Sequence, residues 1–166
     1  MVGLPESEIR NPDLANHDDN VARANVLGYR GWPGRALFTG FPPVRWYRAL
    51  FSPDELRSIR YAGDDTWGRG TDGTFDSGYL AERIKAGAVP AGIEHISAVV
   101  MAMRTGAVTP PIIAIGTSDG SAMTVVEGAS RLTAYAMLGF PSEQEIIYGI
   151  AALEVLRGWR WWCPAI

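Results

Sequence analysis

The chain holds a single cysteine, Cys163, among its 166 residues. An internal disulfide is therefore impossible, and so is a metal site built on paired cysteines. Histidine is almost as scarce, with only His17 and His95, so imidazole chemistry rests on two positions. Long apolar runs are missing: none approaches the ~20 residues of a membrane-crossing helix. A basic surplus is missing too, since 15 Lys and Arg stand against 18 Asp and Glu for a net charge of −3. Duplex DNA binders carry a basic excess or stripe. Here Arg45, Arg48, Arg57 and Arg60 are balanced by Asp54, Glu55, Asp64 and Asp65. The stretch Met1–Asn20 is polar and acidic, unlike a secretory signal. These absences argue against membrane and nucleic-acid partners and favour a cytoplasmic location.

What is present suits one globular domain. Hydrophobic residues make up 47% of the chain, enough for a core that folds alone. Residues 1–35 are rich in Asn, Asp, Gly and Pro and read as an irregular arm, with one short helix near Val21–Leu27. Residues 36–166 form the folded domain. Val44–Leu50 has the aromatic and β-branched content of a strand. Ser52-Pro53-Asp54-Glu55 is a helix start, with serine at the N-cap, proline at N1 and acids in the first turn. That helix is expected to reach about Tyr61. Gly63–Gly78 reads as a long Asp/Gly loop, functional or mobile. Tyr79–Ala86 and Ile93–Thr105 read as helices closed by Gly87 and Gly106. Ile112–Ile115 and Met123–Glu127 are strands joined by a Ser118-Asp119-Gly120 turn. Ala129–Leu138 is a helix, Glu145–Tyr148 a short strand, and Ile150–Trp162 mixes a short helix with three tryptophans. The class this order predicts is α+β, a small mixed sheet flanked by helices.

The most informative stretch runs from Val125 to Tyr135. A β-branched run ends in Glu127 and Gly128 and passes at once into a helical pattern with Arg131 on its first turn. Such a junction leaves backbone N–H groups pointing outward, with the positive end of the helix dipole behind them. Gly128 lets a ligand approach the backbone, and Arg131 can clamp an anion with two donors. Together these are the parts of a phosphate or carboxylate site. A carboxylate beside a phosphate repels it unless a cation intervenes. Glu127 therefore holds Mg²⁺, acts as a base, or turns away and orients Arg131.

The order from Ile93 to Leu138 is helix, Gly106, Pro110-Pro111, strand, Asp119-Gly120 turn, strand, Glu127-Gly128-x-x-Arg131, helix. This layout resembles the ParB/sulfiredoxin-like superfamily, over roughly a third of the chain. The resemblance implies nucleotide handling, with ATP or CTP as cofactor together with Mg²⁺. It puts Gly128 and Arg131 on the family's phosphate-turn glycine and arginine. Ser130 stands where another member has a histidine or arginine. Ala129 stands where sulfiredoxin keeps its reactive cysteine, so sulfinic-acid reduction is not expected. The basic DNA-reading helices that follow this domain in partition proteins have no counterpart before Ile166, which argues against chromosome segregation.

The expected site therefore has Glu127, Arg131 and His95 as catalytic candidates. Gly128, Ala129, Ser130, Arg131 and Arg104 are the nucleotide-binding candidates, and Glu127 is the metal ligand. Asp64, Asp65, Asp72 and Asp76 are weaker metal candidates, since acids among glycines commonly make turns. Trp67 is a candidate to stack on a base or to anchor its loop. The tryptophans at 159, 161 and 162 read as core or as an interface patch, the latter implying a homodimer. Two functions follow. One is a phosphotransferase or nucleotide hydrolase acting on an unknown small molecule, with the Asp64–Asp76 loop closing over the ligand. The other is a non-catalytic nucleotide- or partner-binding module. A ParB-like nuclease is a weaker third, because it needs a metal cluster and a basic groove.

Overall fold

A computed structural model describes residues 40–140 and 142–163. The expected arm and its helix near Val21–Leu27 lie outside the described residues. The chain divides at Phe41/Pro42, and the C-terminal unit carries an α+β fold. Its elements are β1 (Arg45–Phe51), α1 (Pro53–Ser58), β2 (Ile59–Arg60), α2 (Asp65–Gly70), α3 (Ser77–Lys85), α4 (Ile96–Arg104), β3 (Ile112–Gly116), β4 (Met123–Glu127), α5 (Ala129–Met137), β5 (Gln144–Ile150) and α6 (Leu153–Arg157). The five strands form one mixed sheet in the order β1-β5-β3-β4-β2. The pairs β1–β5 and β3–β4 are antiparallel, whereas β3–β5 and β2–β4 are parallel.

Alternation along the strands sorts their side chains between two faces. Ile112 and Ala114 of β3, Met123 and Val125 of β4, and Ile146 and Tyr148 of β5 join the core with Leu80, Ile84, Ile96, Val100, Leu132 and Ala136 from the helices. Helix α5 lies at the centre of that layer and packs on α3 to one side and α4 to the other. Thr124 points to the opposite face. There its Oγ1 donates to the Cys163 carbonyl at 3.1 Å, while Gly63 N–H bonds the Trp161 carbonyl at 3.0 Å. The tryptophan-rich segment thus folds back beside β2 and β4. Trp159 and Trp162 are buried and Trp161 is half-buried, so two of the three belong to the interior.

Two expectations need correction. The first helix stops at Ser58 rather than near Tyr61, because Ile59 and Arg60 are pulled into an extended pairing with Met123 and Thr124. Its start is as expected, with Ser52 at the N-cap, and the structure adds a capping box in which Ser52 and Glu55 satisfy each other's backbone N–H. The Asp/Gly loop is also not a loop throughout. Asp64 accepts from Thr66 and Trp67 N–H at 2.8 and 3.1 Å and starts α2. Burial pushes the Asp64 carboxyl above its usual range. Asp76 caps α3 through Tyr79 N–H and pairs with Arg60. Asp72 accepts from Tyr79 Oη at 2.6 Å and from Arg83 Nη1 at 2.8 Å. Trp67 stacks on Tyr61 with ring centroids 4.5 Å apart. The segment is thus held by helix caps, ion pairs and a ring stack, and three of its four acids serve as caps or ion-pair partners.

Between β3 and β4 the turn is held from within. Asp119 Oδ1 accepts from Thr117 Oγ1 at 2.5 Å, from Ser121 Oγ at 2.8 Å and from Ser121 N–H at 3.1 Å. These donors, Thr117 first, hold the Asp119 carboxyl down to about 2. A folded value below the ordinary ~3.9 means that its stabilisation is complete above that pH and is lost as pH falls through the folded value. Asp119→Asn is expected to flatten the acid limb of the stability curve between about pH 4 and pH 2. Urea melts at stepped pH check this, and an unchanged acid limb would contradict the role given to these hydrogen bonds.

Candidate functional site

Strand β4 ends at Glu127, and the chain enters α5 through Gly128 with φ +94° and ψ 25°. An L side chain rarely adopts that backbone, and a Cβ here would stand 2.6 Å from Arg131 Nη2 and 2.8 Å from Arg131 Nε. The glycine is thus favoured by its conformation, and the guanidinium folded over it would have to shift for a side chain to enter. Arg131 Nη2 donates back to Glu127 Oε1, at the end of the strand, at 3.2 Å. The arginine side chain is 12% exposed and the glutamate side chain 29%. A pair this shielded is weakened less by water and salt than a surface ion pair.

The base of the turn is fixed from inside the protein. Leu132 N–H makes the first bond within the helix, to the Gly128 carbonyl at 2.9 Å. The amides of Ala129 and Ser130 precede it, at the positive end of the helix dipole. Thr133 Oγ1 donates to the Ala129 carbonyl at 2.8 Å and lies 2.5 Å from Tyr61 Oη. With Thr133 donating to Ala129, Tyr61 is the donor to Thr133. Both side chains are buried, and burial raises the Tyr61 hydroxyl well above its usual range. The first turn of α5 is thereby anchored to the residue that follows β2.

His95 reaches the turn from the neighbouring helix. It occupies the N-cap of α4 in a helical conformation and makes no side-chain cap there. Its Nε2 instead lies 2.7 Å from Ser130 Oγ. Glu94 beside it is engaged locally, since both of its carboxylate oxygens accept from Gly92 N–H at 3.0 Å. That bond, foremost, lowers the Glu94 carboxyl. The structure thus gathers Glu127, Gly128, Ala129, Ser130, Arg131 and His95 at one end of the α4–α5 pair. Arg104 is not part of the gathering. It sits in the last turn of α4, about 13 Å along the axis from His95 at 1.5 Å per residue. That end of the helix pair borders a cavity of about 330 Å³ lined by Met103, Tyr135, Leu138 and Gln144 among others.

The His95–Ser130 contact is what sequence reasoning missed. Each residue was a candidate alone, but they stand 35 positions apart and share no motif. The only available signal was that both fall at helix starts. Glu127 also has a definite geometry: it turns onto Arg131, one of the alternatives open to it. Among the described residues no group of three or more His, Cys, Asp or Glu side chains stands close enough to hold a metal, and no helix is long and apolar enough to cross a membrane. No protein family, no curated protein and no solved structure matches the chain.

Gly128→Ala is expected to fold with a loss of about 1–2 kcal/mol from the left-handed backbone, because the atoms in the way belong to the far end of a flexible side chain. Thr133→Val is expected to cost about 1–3 kcal/mol, since it strands the buried Tyr61 hydroxyl. Denaturant melts of the two variants check both values. Wild-type stability of Thr133→Val would show that the Tyr61–Thr133–Ala129 chain does not hold the turn.

Proposed function

We propose that the chain is a nucleotide-binding protein of ParB/sulfiredoxin-like type, a phosphotransferase or nucleotide hydrolase that takes an Mg-nucleotide at the Gly128–Arg131 turn. The observation that carries this reading is the turn itself: a left-handed glycine opening a helix, with a guanidinium held over it by a neighbouring carboxylate. Backbone amides and a fixed arginine are the groups that bind a phosphoryl oxygen and stabilise the charge that develops on it during transfer. The order of strands and helices from Ile93 to Leu138 supports the same reading by its resemblance to that superfamily.

Each residue has a role in this reading. The amides of Ala129 and Ser130 receive phosphate oxygens, and Arg131 neutralises their charge. Glu127 fixes the arginine's direction. The donor set fits Mg²⁺, which takes one or two carboxylates, phosphate oxygens and waters rather than an all-protein cage. Glu127 is the carboxylate at hand. The metal, when bound, supplies charge neutralisation on the phosphate oxygens. His95 stands at the mouth of the turn as the proton acceptor.

A second reading, a non-catalytic nucleotide- or partner-binding module, has one observation in its favour. Glu127 is already engaged by Arg131, so its carboxylate serves the arginine whether or not a metal binds.

Thermal melts with ATP, CTP and GTP, each with and without Mg²⁺, test both. A ligand at a hundredfold excess over its Kd adds about 2.7 kcal/mol, roughly 5–10 °C in Tm for a domain of this size. The expected result is such a shift with one nucleotide, dependent on Mg²⁺ and lost in Arg131→Ala while that variant stays folded. A shift indifferent to Mg²⁺ and to Glu127→Gln would favour the module. Unchanged nucleotide affinity in Arg131→Ala would remove the phosphate site altogether.

A further inference from the structure

A serine in the first turn of a helix ordinarily bonds to nearby backbone. Ser130 instead meets the ring of His95 on another helix, Oγ to Nε2, at 2.7 Å. The histidine makes no side-chain cap at its own position. A hydroxyl within hydrogen-bond reach of an imidazole is the pairing that turns a weak nucleophile into a competent one. Ser130 is half-buried and His95 exposed, so the hydroxyl is held in place while the ring stays open to solvent for proton exchange. The next residue along the chain is Arg131, whose guanidinium covers Gly128. Ser130 thus presents a hydroxyl to an imidazole in the same first turn that carries Arg131.

We propose that Ser130 is a phosphoryl acceptor, and that the chain phosphorylates itself there from a bound nucleoside triphosphate. This rests on the reading of the Gly128–Arg131 turn as a nucleotide site. Ser130 Oγ attacks the terminal phosphorus, and a new O–P bond forms. The bond between that phosphorus and the β,γ-bridging oxygen breaks, and the nucleoside diphosphate leaves with the electron pair. The hydroxyl proton passes to Nε2 of neutral His95. The product suits its place. A phosphoserine in the first turn of a helix lies at the positive end of the dipole and within reach of backbone amides. The modification would in turn fill the anion site with the protein's own phosphate, so the phosphorylated chain binds nucleotide less well.

The full chain, incubated with Mg-ATP, Mg-CTP or Mg-GTP, is followed by intact mass and by peptide mapping, with thermal melts in parallel. The expected result is one added phosphate that maps to Ser130 and is absent in Ser130→Ala. His95→Gln, which keeps a hydrogen-bonding group but accepts no proton, is expected to slow the labelling about a hundredfold while keeping its nucleotide-induced rise in Tm. A wild-type chain that nucleotide stabilises without any added phosphate overturns the inference and leaves the nucleotide reading intact. Phosphate on another residue, or labelling of His95→Gln at the wild-type rate, overturns it equally. If no nucleotide stabilises the chain and none labels it, the nucleotide reading itself fails and the inference falls with it.

Discussion

Gly128 holds a left-handed backbone, φ +94°, that an L side chain rarely adopts. That step organises the centre of the molecule. With glycine there, the backbone takes a left-handed step directly from β4 into α5, and no connecting loop separates the strand from the helix. The arginine then folds back over the step and meets Glu127, the last residue of the strand. The junction closes on itself within five residues, from 127 to 131. Everything that packs on α5 inherits its direction from this step, and α5 is the helix against which both α3 and α4 lie.

A second tie keeps the junction from swinging. Tyr61, Thr133 and the Ala129 carbonyl form a buried hydrogen-bonded line from the end of β2 to the first turn of α5. Hydrogen bonds in such surroundings add little net stability but are costly to break singly. Their use here is directional. Trp67 stacks on the other side of Tyr61, so the segment rich in Asp and Gly supports the ring whose hydroxyl holds the helix. Gly116 shows the same economy of space on β3. A Cβ there would collide with the Tyr148 hydroxyl and the Ala122 carbonyl, and that hydroxyl donates to the Thr117 carbonyl at 2.8 Å. Burial, first of all, pushes the Tyr148 hydroxyl up to about 12.

These ties put two helix starts side by side. Met103 of α4 and Tyr135 of α5 line one cavity at the far end, and His95 meets Ser130 at the near end, so the two helices run in the same direction. Their positive ends therefore face the same solvent region, beside a paired arginine and glutamate. Such a cluster suits an anion. The glycine step and the buried line behind it fix the first turn of α5, whereas the histidine beside it is exposed.

Local chemistry decided what the sequence could tell. The helix start at Ser52-Pro53, the Asp119-Gly120 turn, the stops at Gly87, Gly106 and Gly139, and the strand–Gly128–helix junction each depend on residues within a few positions of one another. Their geometry follows from steric and hydrogen-bonding rules that act over one turn. The α+β class and the Glu127–Arg131 neighbourhood were legible for that reason. Other features were decided by partners remote in sequence. Ile59 and Arg60 became a strand because β4 offered an edge, although Ser52 had opened a helix toward them. Asp72 and Asp76 became ion-pair partners because Arg83 and Arg60 came within reach. Trp159 and Trp162 became interior because the chain folded back beside β2 and β4. The His95–Ser130 pair exists only because α4 and α5 pack with their starts together. A contact between residues far apart in sequence has no local energy to mark it, so only the folded chain could bring that histidine to that serine.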